Sequence, residues 1–226
     1  MRLKRGLGFP ERMFAKVQFA EALNGTAAVA TVGRITYRGN GPFDPAVRLG
    51  GNSPVDFGRY AAIYQRYTCY GSRIRVRFTN NTSANLAGVV CAIIATNDTE
   101  VVPITFGGQR HERTTRLGAT TGSSTRALTM YKKTGTVLGF SKAKVRTEDT
   151  LSSLVTGNPG TQWNWNVLIA SNDGVSTVTC NVYTHITYYC KFYDKTSTGP
   201  TIDAAVDDEE LDGINPFSWS GLYADP

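Results

Sequence analysis

The chain has 226 residues, of which 41% are hydrophobic, 11% aromatic and 19% charged, enough apolar content to build a core and to exclude a disordered polymer. Its formal charge of +6 conceals an asymmetry: residues 1–200 hold all 24 bases against 11 acids, a surplus of thirteen, whereas residues 201–226 hold seven acids and no base. No apolar run approaches the roughly 18 residues of a spanning helix, and the basic residues 1–5 lead into no hydrophobic signal segment, so an intracellular chain without membrane insertion is expected.

Short runs rich in Thr, Val, Tyr, Ile and Phe alternate with Gly, Asn and Ser clusters, which predicts an all-β sandwich or barrel of about eight strands. The first strand, 12–23, sets Met13, Ala15, Val17 and Phe19 against Arg12, Lys16 and Gln18, with Phe14 out of pattern. A second strand is expected at 27–37. Tyr60, Ile63, Tyr64 and Tyr67 recur at helical spacing and predict one helix over 57–67, capped by Asp56. At 72–80, Ile74, Val76 and Phe78 face one way and Arg73, Arg75 and Arg77 the other, because strand side chains alternate. The 87–96 run is apolar on both faces. Residues 98–124 read as a long Thr-, Gly- and Arg-rich loop of the kind that carries contacts. Further strands are expected at 125–133, 137–145 and 162–171, with a short turn at 147–154. Trp163 and Trp165 share a strand face and suit a core or a subunit contact. The longest alternation, 177–193, places Val178, Cys180, Val182, Ile186, Tyr188, Cys190 and Phe192 on one side of an antiparallel strand.

Chemistry-bearing patterns are sparse. Cys69, Cys91, Cys180 and Cys190 form no C-x-x-C pair, and with only two histidines a zinc site is not expected; reduced, buried thiols are. Neither His111 nor His185 forms a nucleophile–base set with a Ser or Cys by spacing, and the phosphate-binding G-x-x-x-x-G-K-[ST] and metal-binding H-E-x-x-H patterns are missing. No catalytic residue, metal or cofactor is assigned, and the chain is not expected to be an enzyme.

Three places carry a resemblance. Residues 5–13 (RGLGFPERM) give a basic-to-Phe-Pro entry into the first strand. Residues 64–78 (YQRYTCYGSRIRVRF) run a tyrosine-rich segment into a Gly-Ser strand. Last come the Trp-containing strand at 163–169 and the Tyr-rich strand at 177–193. In this order and spacing the chain resembles the capsid proteins of circular single-stranded DNA viruses that encode a replication initiator, the circovirus-like group. The resemblance covers about 1–195 and excludes the acidic tail. It implies an eight-stranded antiparallel jelly roll with sheets B-I-D-G and C-H-E-F. A basic segment 1–11 would precede a capsid domain 12–195, followed by a tail 196–226. It also implies an icosahedral virion of sixty copies, assembled inside the host cell with the nucleus as one candidate site, a single-stranded DNA genome as partner, and a host receptor that the sequence does not identify. The group's long Arg-rich arm has only Arg2, Lys4 and Arg5 as counterpart, so either that arm lies outside this chain or genome contact is made elsewhere.

With strands B, I, D and G taken as 12–23, 177–193, 72–80 and 137–145, burial of the apolar faces gathers Arg12, Lys16, Arg73, Arg75, Arg77, Lys142, Lys144, Tyr183, His185, Tyr189 and Lys191 on the opposite face. Cations there would neutralise phosphates and rings would stack on unpaired bases. An ordinary solvated strand face is the alternative. Arg110, Arg113 and Arg116 in the long loop suit a subunit or receptor contact. Phe217, Trp219 and Tyr223, behind the 207–210 acidic run, suit docking on a neighbour. A single-stranded RNA virus capsid and a carbohydrate-binding jelly roll, with Trp163 and Trp165 as the sugar platform, remain the competing functions.

Overall fold

The computed structural model describes residues 9–48, 52–82, 88–97, 113–118 and 124–196. Two antiparallel sheets face each other. The first runs in the order β1 (Arg12–Ala27), β9 (Val178–Lys195), β3 (Tyr64–Asn80), β6 (Thr125–Lys133), and a short β7 (Ser152–Leu154) also pairs with β3. The second runs β2 (Val32–Arg38), β8 (Asn164–Ser171), β4 (Val89–Thr96), β5 (Arg113–Leu117). With β7 set aside, these are the B-I-D-G and C-H-E-F sheets of a jelly roll, as expected.

Alternation explains the pairing. Ala15, Val17 and Phe19 of β1, Ile74, Val76 and Phe78 of β3, and Val178, Cys180, Val182, Ile186, Tyr188, Cys190 and Phe192 of β9 all lie in the core. They meet Val89, Cys91 and Ile93 of β4 and Trp165, Val167 and Ile169 of β8 from the other sheet. Trp163 and Trp165 are fully buried, edge to face at 5.0 Å between ring centroids. Their indole N–H groups need buried acceptors. Trp163 donates to Thr134 Oγ1 (3.2 Å) and Trp165 to Ser72 Oγ (2.8 Å), which in turn donates to the Gly39 carbonyl (2.6 Å). All four cysteines are free and buried. Cys69 and Cys190 are register partners within the first sheet, while Cys91 and Cys180 pair across the two sheets. The hydrogen bond to Cys180, with burial, pushes the Cys91 thiol up, and burial, with the neighbouring Cys69, does the same to Cys190.

Several expectations need correction. The helix is α1 (Val55–Ala61), and Tyr64 and Tyr67 belong to β3 instead. There both rings are fully buried, Tyr67 edge-on to Phe57 at 5.2 Å and both beside Phe192, a burial that strand geometry satisfies better than one helix turn. Asp56 does not cap α1; Pro54 occupies that position and Asp56 pairs with Arg59 at 3.6 Å. Strand G is β6, not 137–145. The latter region forms α2 (Thr134–Leu138) and α3 (Lys142–Thr147), so the chain has more than the one helix expected. Gly139, at φ 71°, ends α2 in the left-handed conformation that favours glycine, and Ser141 caps α3 by accepting from the Lys144 N–H. The expected loop 98–124 contains β5.

The Ser72 hydroxyl joins the Trp165 indole on one sheet to the Gly39 carbonyl at the end of β2. Ser72→Ala is expected to cost about 1–3 kcal/mol by removing the partner of two buried groups. Trp165→Ala should cost about 3–5 kcal/mol. Urea titrations with unchanged slope check both; a Ser72→Ala midpoint equal to the parent's would contradict the assignment.

Candidate nucleic-acid interface

Because β1, β9, β3 and β6 bury alternate residues, the remaining residues form rows across the outer face of the first sheet. Reading β1 to β6, the register aligns Lys16, Tyr189, Gly71 and Lys133, then Gln18, Thr187, Arg73 and Tyr131. Below them come Ala20, His185, Arg75 and Thr129, then Ala22, Tyr183, Arg77 and Ala127, and last Asn24, Asn181, Thr79 and Thr125. Beyond the Lys16 row, Phe14 pairs with Lys191 and Arg12 with Tyr193. None of these positions carries a carboxylate.

Arg73, Arg75 and Arg77 are exposed. Among the described residues no acid pairs with them, whereas Arg38–Asp44 (2.8 Å), Arg48–Glu21 and Lys195–Glu11 (2.8 Å) pair elsewhere. Aromatic rings lie among the cations. Tyr131 meets Tyr189 edge-on at 5.6 Å, Phe14 and Tyr70 are 6.3 Å apart, and Lys191 Nζ lies 5.9 Å from the Phe14 ring and 6.0 Å from Tyr193. Burial and the adjacent Tyr189 push the Tyr131 hydroxyl up to about 12, with Arg73 pulling the other way. Desolvation first, and then the Arg75 charge, hold the His185 imidazole below its ordinary 6.5. Its Nε2 lies 3.3 Å from Gln18 Oε1.

The structure brings together Arg12, Lys16, Arg73, Arg75, Arg77, Tyr183, His185, Tyr189 and Lys191, all named from the sequence. Lys142 and Lys144 do not join them: both are exposed on α3, with Lys144 Nζ 4.2 Å over the Phe140 ring. Their places on the G strand are taken by Tyr131 and Lys133, which sequence reading missed although the 125–133 strand alternates Ala127, Thr129, Tyr131, Lys133 against Leu128 and Met130. Tyr70 was missed too. A bulge between Cys69 and Gly71 shifts the register, and no alternation rule anticipates it. Arg113 and Arg116 are exposed on β5, opposite Ile93 and Val90 of β4, rather than in a loop. Arg2, Lys4, Arg5, Arg110, Phe217, Trp219 and Tyr223 lie outside the described residues. Among the described residues no group of three or more His, Cys, Asp or Glu side chains could hold a metal ion.

The molecule is thus a jelly roll with a basic, aromatic outer face on its B-I-D-G sheet, whose rows of described residues contain no carboxylate. No protein-family model matches the chain, and no curated protein does. Solved structures similar to it include the BFDV capsid protein as a 60-mer, at 10% identity over 86% of this chain and 100% of that one (TM-score 0.42). Mud crab tombus-like virus is similar at 13% identity over 85% and 94% (TM-score 0.44), and Desmodium yellow mottle tymovirus at 10% over 91% and 97% (TM-score 0.37).

The depressed His185 pKa has a definite sign. The folded state resists protonation that the unfolded chain accepts, so the contribution is complete above about 6.5 and is lost as pH falls from there through the folded value. His185→Gln should flatten the dependence of the urea midpoint on pH between about 7.5 and 5.5. An unchanged slope in the variant would remove His185 as its source.

Proposed function

We propose that this chain is a viral capsid protein that assembles into a sixty-copy icosahedral shell and holds a single-stranded DNA genome against the outer face of its B-I-D-G sheet. The observation that carries this reading is the face on which exposed Arg73, Arg75 and Arg77, with no acid paired to them among the described residues, stand beside Tyr183, His185 and Tyr189. Alternate residues of a strand are about 6.8 Å apart, roughly twice the ~3.4 Å axial charge spacing of one stacked DNA strand. A row of arginines can therefore follow a phosphate backbone without reading sequence, and the tyrosines offer rings to splayed bases. DNA rather than RNA, and sixty copies, follow the circovirus-like order of motifs. The domain plan is a capsid body 12–195 between a basic segment and an acidic tail, with Arg113 and Arg116 reserved for a neighbouring subunit or a receptor. The competing sugar-binding role loses its platform, because Trp163 and Trp165 are 0% exposed.

Like charges crowded on one face repel, and counter-ions or phosphates relieve the repulsion. Assembly of the full chain, followed by electron microscopy, should therefore rise with added single-stranded DNA or with salt, and DNase rather than RNase should remove the extracted nucleic acid. The triple variant Arg73→Gln, Arg75→Gln, Arg77→Gln should lower the slope of log affinity against log salt by about 2. Equal particle yield at every salt concentration, with and without nucleic acid, would refute the reading.

A further inference from the structure

At the Arg77 end of this face lies an open depression of about 400 Å³, lined by Ala22, Asn24, Arg77, Thr79, Asn181 and Tyr183 among others. That volume falls in the roughly 300–1,000 Å³ range of small-ligand sites. The register explains why it exists. Ala22 and Ala20 put only methyl groups on β1 beside Tyr183 and His185, so Tyr183 stays 49% exposed on an inner strand of the sheet. Arg77 is the register partner of Tyr183 on the opposite side, and Asn24, Asn181 and Thr79 make up the next row. Among the described residues the side chains of Asn24, Arg77, Asn181 and Tyr183 make no hydrogen bond, ion pair or ring contact.

We infer that this depression is a subsite for one unpaired base of a single-stranded nucleic acid. It rests on the nucleic-acid reading of the face and gives that reading a fixed point. The base stacks on the Tyr183 ring over the space that Ala20 and Ala22 leave open. The Asn24 and Asn181 amides each offer a donor pair and an acceptor to the base edge, a set that suits hydrogen bonding to an exposed Watson–Crick edge. Arg77 takes the adjoining phosphate through its planar fork. The rest of the face, with its arginines and lysines in line, tracks the backbone; here alone among the rows an exposed aromatic ring, a pair of amides and a guanidinium converge.

The probe is an eight-residue oligothymidylate, compared with an abasic strand of equal length that keeps the phosphates and lacks the bases. For the full chain, Tyr183→Ala should weaken oligothymidylate binding by roughly ten- to a hundredfold and leave the abasic strand's weaker binding unchanged, while Tyr183→Phe should restore the loss. Asn24→Ala with Asn181→Ala should change the ranking of oligothymidylate against oligodeoxyadenylate and oligodeoxycytidylate. Tyr183→Trp supplies a second readout, since a stacked base should quench its fluorescence and the abasic strand should not. If Tyr183→Ala binds oligothymidylate like the parent while the triple arginine variant binds it less, the subsite is wrong and the basic face stands. If neither variant weakens binding, the nucleic-acid reading itself fails.

Discussion

Strand β9 lies between β1 and β3 and pairs with both, in a register that runs from Arg12 to Ala27 on one side and from Tyr64 to Asn80 on the other. Its side-chain period of two gives the sheet one dry face and one wet face. Valine, isoleucine, cysteine, tyrosine and phenylalanine are buried inward, and the residues between them must then point out. Displacing β9 by one residue would bring His185, Tyr189 and Lys191 into the core and expose Ile186, Tyr188 and Phe192. The hydrophobic term that closes the two sheets together therefore also determines which charges share the outer surface. Core and candidate interface are two readings of one alternation.

The wet face is organised by what it omits. Among the described residues no acid stands in any row, and Arg73, Arg75 and Arg77 are spaced along one strand by the stiffness of its backbone. Arginine suits the central strand better than lysine would, because its guanidinium is planar, weakly hydrated and able to take two phosphate oxygens at once. Desolvation first, and then the neighbouring Arg75, drives His185 toward its neutral form, which keeps one more positive charge off a crowded surface. A face built on paired strands loses little conformational entropy when it meets a ligand, since the backbone that carries the side chains is already fixed.

Most of the architecture was legible where period and burial agree. The inward and outward residues of 72–80 and 177–193 were assigned correctly because each face is uniform over many residues. The failures came where a local signal competed with tertiary packing. Tyr60, Ile63, Tyr64 and Tyr67 satisfy helical spacing, yet Tyr64 and Tyr67 gain more from burial beside Phe192 as parts of β3. Residues 137–145 combine valine, leucine and phenylalanine like a strand, but Gly139 and the Ser141 cap break them into two helices. That misassignment brought Lys142 and Lys144 to the face in place of Tyr131 and Lys133. The Tyr183 depression was invisible for another reason: it depends on alanines across the register, and pairing partners are not written in the spacing of a single strand.

The buried thiols have a consequence for how the two sheets move. Cys91 and Cys180 bridge the sandwich from opposite walls, and Cys69 and Cys190 sit side by side within one wall. Alkylating reagents modify thiols they can reach, and all four are buried. Modification at the first pair thus reports the parting of the walls, and at the second the fraying of a single ladder. The protein carries two built-in clocks for different openings, both silent while the sandwich is closed.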